Sequence, residues 1–133
     1  MRVFLDTNIL FSAILFPNST PDKALQKAIS LHHAITCDYV LDELRRNIAK
    51  KFPDKISYVD SFLLVLSMSI EVVKVSYDIN DDTIELRDPY DKPVLRAARE
   101  SKCDVLIFGD KDFLESNIKN PKCITAKDFL ENY

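Results

Sequence analysis

Four short stretches of the chain each carry a carboxylate that a parallel α/β fold would gather at one edge. They are Asp6 in Phe4-Leu5-Asp6-Thr7-Asn8, Glu43 in Leu41-Asp42-Glu43-Leu44, Asp91 in Asp88-Pro89-Tyr90-Asp91, and Asp110 in Phe108-Gly109-Asp110-Lys111-Asp112. Asp6 and Asp110 come after apolar runs that read as buried strands. Carboxylates crowded into one cleft repel each other and resist desolvation, so a fold that keeps them together calls for a cation. No His or Cys accompanies these acids, and oxygen-only donors suit Mg²⁺ or Mn²⁺ far better than zinc. Phosphodiester cleavage is the first use for such a site, because one or two hard cations there hold the phosphate and activate water.

Each acid also has a purely structural reading. Asp6 can end a strand, Asp91 can cap a helix with Pro93 behind it, Glu43 can be a solvated helix acid, and Asp110 can be a turn acid after glycine. Their joint placement after successive strands is what favours a site. Asp88 competes with Asp91; Asp91 is preferred because it directly precedes the apolar helical positions Val94, Leu95 and Ala98.

Composition removes several alternatives. Gly109 is the single glycine, which excludes a phosphate-cradling P-loop, a Gly-x-Gly-x-x-Gly dinucleotide turn and a Gly-x-Ser-x-Gly nucleophile elbow. With 47% apolar and 29% charged residues and a net charge of −3, the composition is that of an ordinary globular domain. That balance argues against a nucleic-acid grip over the whole surface and confines any such contact to a local basic stripe. Arg45, Arg46, Lys50 and Lys51 follow Glu43 on one helix, and Lys111 flanks Asp110. Such residues contact phosphates without reading sequence; a solvated helix face or a seat for an acidic partner peptide are the other readings. Cys37, Cys103 and Cys123 are odd in number, widely spaced and set in apolar segments, as expected of buried reduced thiols. His32 and His33 are adjacent, so a helix would point them apart.

The elements needed to position the acids can be read along the chain of 133 residues, which is expected to form one domain over 1–133. Residues 2–5 form a non-alternating apolar run, the pattern of an interior parallel strand. A short buried helix is expected over 9–16, stopping before Pro17. Ser19-Thr20-Pro21-Asp22 is a strong helix start. Residues 34–37 read as a second strand, with Asp38 able to cap the helix that carries Glu43. Another helix is expected over about 55–68, a strand over 70–75 and a helix over 93–101; residues 79–87 resist assignment. Residues 105–108 give the clearest buried strand, with a short turn or helix over 110–115. Cys123-Ile124 is a brief last strand, and Thr125-Ala126-Lys127-Asp128 opens the final helix. Strands alternating with helices predict a three-layer α/β/α sandwich around a mostly parallel sheet.

These motifs, in this order, resemble the PIN-domain ribonucleases, and in particular the small stand-alone proteins classed as toxins of toxin–antitoxin pairs. The resemblance implies metal-dependent cleavage of single-stranded RNA by an endoribonuclease. It carries Asp6, Glu43, Asp91 and Asp110 onto the family's four metal-binding acids, Asp112 onto an auxiliary acid, and Asn8 onto the polar residue that orients the first aspartate. It also implies a small antitoxin and a homodimer. One departure stands out: Phe108 occupies the place where the family often has threonine or serine, which implies slower cleavage or a differently hydrated site.

Two other functions fit the same residues. A catalytically degenerate PIN-like module would only bind RNA or protein, a reading that Phe108 supports and the four acids oppose. A Mg²⁺-dependent phosphotransfer domain is disfavoured, because Asn8 stands where Asp-x-Asp phosphatases need their second acid. Asp6 and Asn8 interrupt any signal-peptide core, so a cytoplasmic protein without a targeting segment or membrane anchor is expected. The apolar segments 9–16 and 62–68 suit a core or a subunit interface equally well.

Overall fold

The structure, a computed structural model, describes residues 1–76, 89–109 and 118–133. Asp88, Asp110, Lys111, Asp112 and the expected elements over 79–87 and 110–115 lie outside the described residues.

Five strands form one sheet in the order β3-β2-β1-β4-β5. They are β1 (Arg2–Leu5), β2 (His33–Cys37), β3 (Glu71–Val73), β4 (Val105–Ile107) and β5 (Lys122–Ile124), and every pairing is parallel. The six α-helices among the described residues are α1 (Thr7–Leu15), α2 (Thr20–Leu31), α3 (Asp38–Lys51), α4 (Ile56–Leu66), α5 (Lys92–Glu100) and α6 (Ala126–Asn132). Val3, Phe4 and Leu5 are buried although they point to alternate faces, and so are Val105, Leu106 and Ile107. Burial on both faces means helices cover both, which gives the expected three-layer α/β/α arrangement. Each large apolar side chain sealed this way contributes about 1.5–3 kcal/mol.

Local chemistry explains where the helices start. Ser19 Oγ accepts the Asp22 N–H at 3.4 Å, while Asp22 accepts the Asn18 N–H at 2.8 Å, so two free amide donors are satisfied reciprocally. Thr125 Oγ1 accepts the Asp128 N–H at 3.1 Å and opens α6 as expected. Helix α1 begins earlier than the expected residue 9, because Asp6 itself is its N-cap and accepts the Ile9 N–H at 3.0 Å. Asp38 is not the cap of α3: Cys37 holds that position with extended backbone, and Asp38 is the first helical residue. The helix expected over 55–68 is shorter, since a 3₁₀ turn (Pro53–Lys55) precedes α4 and the chain leaves the helix at Ser67.

In this strand order the connections run one way from β1, to β2 and β3, and the other way from β4 to β5. The carboxyl edge between β1 and β4 is therefore the switch point where open α/β sheets hold ligands.

Candidate active site

Asp6 sits at that switch point. The Asp6 N–H donates to Ile107 O at 3.2 Å, extending the β1–β4 ladder by one residue. From the other side, the buried Thr36 hydroxyl donates to Leu5 O at 3.0 Å. With the backbone held from both neighbouring strands, the Asp6 carboxylate has little freedom. It is only 5% exposed; one oxygen accepts the Ile9 N–H at 3.0 Å and the other the Gly109 N–H at 3.3 Å. Two backbone donors at the start of a helix thus orient this buried carboxylate.

Gly109 is required by closeness. A Cβ on it would lie 3.0 Å from the Asn8 Cβ, inside normal contact distance. Asn8 thus lies against the chain leaving β4, and the amides of Ile9 and Gly109 both hold Asp6. Asp110, next after Gly109, is outside the described residues, as are Asp112 and Lys111.

Glu43 lies in the second turn of α3 and is half-buried. Its carboxylate makes no hydrogen bond or ion pair with any described residue, yet it faces the carboxyl end of β2. The Cys37 thiol there is pushed up to about 12, chiefly by burial, with the charges of Asp38 and Glu43 adding to the shift. Asp91 holds the N-cap position of α5 but makes no capping hydrogen bond, so the capping role expected of it is not realised. Its place is set instead by a 3₁₀ turn (Pro89–Asp91) and by Tyr39, whose hydroxyl donates to Tyr90 O at 2.9 Å. That bond ties the first turn of α3 to the residue preceding Asp91.

The fold therefore brings Asp6, Glu43 and Asp91 toward the carboxyl edge by separate tethers, through β1, α3 and the start of α5. It does not close them into a ready-made cage: among the described residues no three His, Cys, Asp or Glu side chains are grouped closely enough to hold a metal ion. In donor type alone the acids fit a hard divalent cation: carboxylates on three elements, one of them the desolvated, backbone-oriented Asp6. The hydroxyl of Thr7, next in the chain, is buried without a hydrogen-bond partner among the described residues. The sequence signalled neither Thr7 nor Tyr39. Their partners or lack of them are tertiary facts, though both follow directly on strand ends where ligands gather.

The basic residues divide. Arg45 is forked onto Asp60, with Nε–Oδ1 at 2.9 Å and Nη2–Oδ2 at 3.3 Å. Lys51 lies over the Phe11 ring at 5.5 Å. Arg46 makes a single long contact, Nε to the Asp42 carbonyl at 3.4 Å.

The PIN domain family model matches residues 2–112, most of the chain and every described element of this edge. The chain belongs to the PIN domain family. An uncharacterized protein, MJ1680, of Methanocaldococcus jannaschii is 28% identical over 146 aligned positions, which cover all of this chain and 92% of that protein. Among solved structures, VapBC2 from Rickettsia felis, bound to a DNA fragment from its promoter, aligns with a TM-score of 0.71 at 19% identity. It covers 94% of this chain and 98% of that one. VapC20 of Mycobacterium tuberculosis, a sarcin–ricin-loop-cleaving toxin, gives 0.60 at 16% identity over 87% and 95% of the two chains. FitAB bound to the IR36 DNA fragment gives 0.66 at 15% identity over 93% and 94%. At these identities the structural likeness establishes the fold. No helix among the described residues is long and apolar enough to cross a membrane.

Proposed function

We propose that this PIN domain protein is a metal-dependent endoribonuclease acting on single-stranded RNA, and the toxin of a toxin–antitoxin pair. The observation that carries the reading is Asp6: a desolvated carboxylate, fixed by the Ile9 and Gly109 amides, at the switch point of the sheet. Asp6 and Asp110 are assigned as central ligands of Mg²⁺ or Mn²⁺, with Glu43 and Asp91 completing the set and Asp112 and Asn8 in support. When bound, the ion supplies positive charge that polarises the scissile phosphate and activates water.

The chain's own residues do the rest. Asp6 offers the ion an orientation that costs little further ordering, because β1, β4 and α1 already fix it. Glu43, unpartnered among the described residues, can turn toward the ion or toward an attacking water. Asp91 is held at a distance set by the Tyr39–Tyr90 bond. Arg46, Arg45 and Lys111 are the groups assigned to RNA binding, positive charge that draws the strand toward the acidic edge.

The toxin assignment rests on the family resemblance of the motifs and on the fold shared with VapC20, a sarcin–ricin-loop-cleaving toxin. With it come a small antitoxin, a homodimer, a single domain over the whole chain and action in the cytoplasm. Exposed apolar side chains on and just after α4, at Tyr58, Leu64, Val65 and Met68, support a protein partner.

Incubating the purified protein with a single-stranded RNA pool and Mn²⁺, with and without EDTA, tests the proposal. Cleavage is expected only with the metal and only with Asp6 intact. The second reading, a PIN domain that binds RNA without cutting it, draws on Phe108, which is buried where the family often has a hydroxyl. RNA retention without cleavage at any metal concentration would select it.

A further inference from the structure

Beside the first two turns of α3 lies a cavity of about 380 Å³, lined by Asp38, Tyr39, Asp42, Arg45, Arg46 and Val75. That size falls within the range of small-ligand sites, roughly 300–1,000 Å³. Resting on the nuclease reading for the RNA that would enter it, we propose that this cavity is a guanine-binding subsite beside the catalytic edge.

Its walls are tied to that edge. Asp38 Oδ1 accepts the Tyr39 N–H at 2.9 Å and the Val75 N–H at 3.1 Å, fixing the chain after β3 against the start of α3. Tyr39 lines the cavity, while its hydroxyl is bonded to the residue before Asp91. Glu43 follows Asp42 by one residue, about 100° further round the helix. A nucleotide in the cavity therefore neighbours the acids assigned to the scissile phosphate.

The lining chemistry selects among ligands. Asp60 occupies the fork of Arg45, so among the described residues the charges left facing the cavity are those of Asp38, Asp42 and Arg46. Two acids against one free cation among these described residues disfavour a phosphate group. A neutral base that both donates and accepts hydrogen bonds suits this set. The Asp42 carboxylate makes no hydrogen bond or ion pair with any described residue. Arg46 spends only its Nε, on a 3.4 Å contact with the Asp42 carbonyl, leaving its terminal nitrogens as donors. Asp42 and Arg46 are four residues apart on one helix and so are surface neighbours. Guanine is the base that meets both: N1–H and the N2 amino group face one carboxylate, while O6 and N7 face one guanidinium. Cytosine and adenine offer a carboxylate only one amino group, and uracil offers it a lone ring N–H.

Titrating the ¹⁵N-labelled full chain with GMP, IMP, AMP, CMP and UMP tests this, since all five share ribose and phosphate. GMP is expected to shift the amides of Tyr39, Val75 and the α3 residues beside them, and to bind at least about 10-fold tighter than AMP, CMP or UMP. IMP, which lacks the N2 amino group, should fall between. Asp42→Asn and Arg46→Ala should each cost GMP about 10-fold and narrow its advantage over AMP, with spectral dispersion showing an intact fold. Equal shifts from all five nucleotides, or GMP shifts confined to other parts of the chain, overturn the proposal. No RNA is cut in this experiment. Guanine selectivity therefore stands even if the nuclease assay is negative, and cleavage without such selectivity removes the subsite alone.

Discussion

The Asp6 carboxylate accepts the N–H of Gly109 across 103 residues of chain, and this one bond joins the ends of β1 and β4. The same aspartate caps α1 through Ile9. A group assigned to catalysis is thus also a structural fastener, and its two roles can be separated by substitution. Asn caps helices about as well as Asp but carries no charge. Asp6→Asn should therefore abolish metal-dependent RNA cleavage while keeping the α1 cap, at the cost of about one hydrogen bond, because its single carbonyl oxygen cannot serve both the Ile9 and the Gly109 N–H. Asp6→Ala should lose cleavage and also about 1 kcal/mol of stability with the cap. Full activity in purified Asp6→Asn would sink the ligand assignment.

Gly109 is constrained by its neighbour. An added methyl group would sit 3.0 Å from the Asn8 Cβ, so Asn8 or the chain leaving β4 has to give by a few tenths of an ångström. Gly109→Ala is expected to destabilise by about 1 kcal/mol, as small overpacking does. Denaturant melts of the two single variants and the double variant with Asn8→Gly should show favourable coupling, because removing the Asn8 Cβ makes room. Strictly additive losses would mean that the close approach is not the cause.

Much of this edge was legible in the chain because its strands are short apolar runs and its acids follow them directly. Asp6 after Leu5 and the capping sequences at Ser19 and Thr125 needed only local chemistry to be read. The edge strand was not so legible. A strand over 70–75 is suggested by β-branched residues, yet β3 keeps only Glu71–Val73, whose register against β2 ends where Cys37 pairs with Val73. Just beyond, Asp38 accepts the Val75 N–H and draws the chain to the start of α3. Asp91 shows the opposite failure: its position before Pro93 predicts a cap, but its side chain makes no capping bond. The Tyr39–Tyr90 bond spans 51 residues and has no local signature at all.

His32 makes stability depend on pH. Both ring nitrogens are buried without a hydrogen-bond partner among the described residues, and the ring packs against Phe129 at 5.4 Å between centroids. Burial, then the positive charges of the amino terminus and Lys27, hold its pKa below the ordinary 6.5. In the folded state the imidazole stays neutral at a pH where the unfolded chain already protonates it. This contribution is fully present above pH 6.5 and is lost as pH falls through the lower, folded value. Thermal melts should show Tm falling as the pH drops below 6.5 in wild type, with a flatter profile in His32→Phe. Identical slopes for the two proteins would remove His32 as the source.

Tyr39 separates positioning from stability. Its hydroxyl reaches Tyr90 O, one residue before Asp91. Tyr39→Phe deletes one hydrogen bond and leaves the ring, so the stability cost should be about 1 kcal/mol. The effect on cleavage should be larger in kind. The turn carrying Asp91 is released from α3, so the acid is less well placed for the ion, and a misplacement of about 1 Å can cost on the order of 100-fold in rate. If Tyr39 positions Asp91, kcat should drop while RNA affinity, measured without metal, stays as in wild type. The Mn²⁺ concentration for half-maximal activity should rise, and saturating Mn²⁺ should restore part of the rate. A variant with unchanged metal dependence and reduced stability alone would confine Tyr39 to holding α3 against the turn before α5.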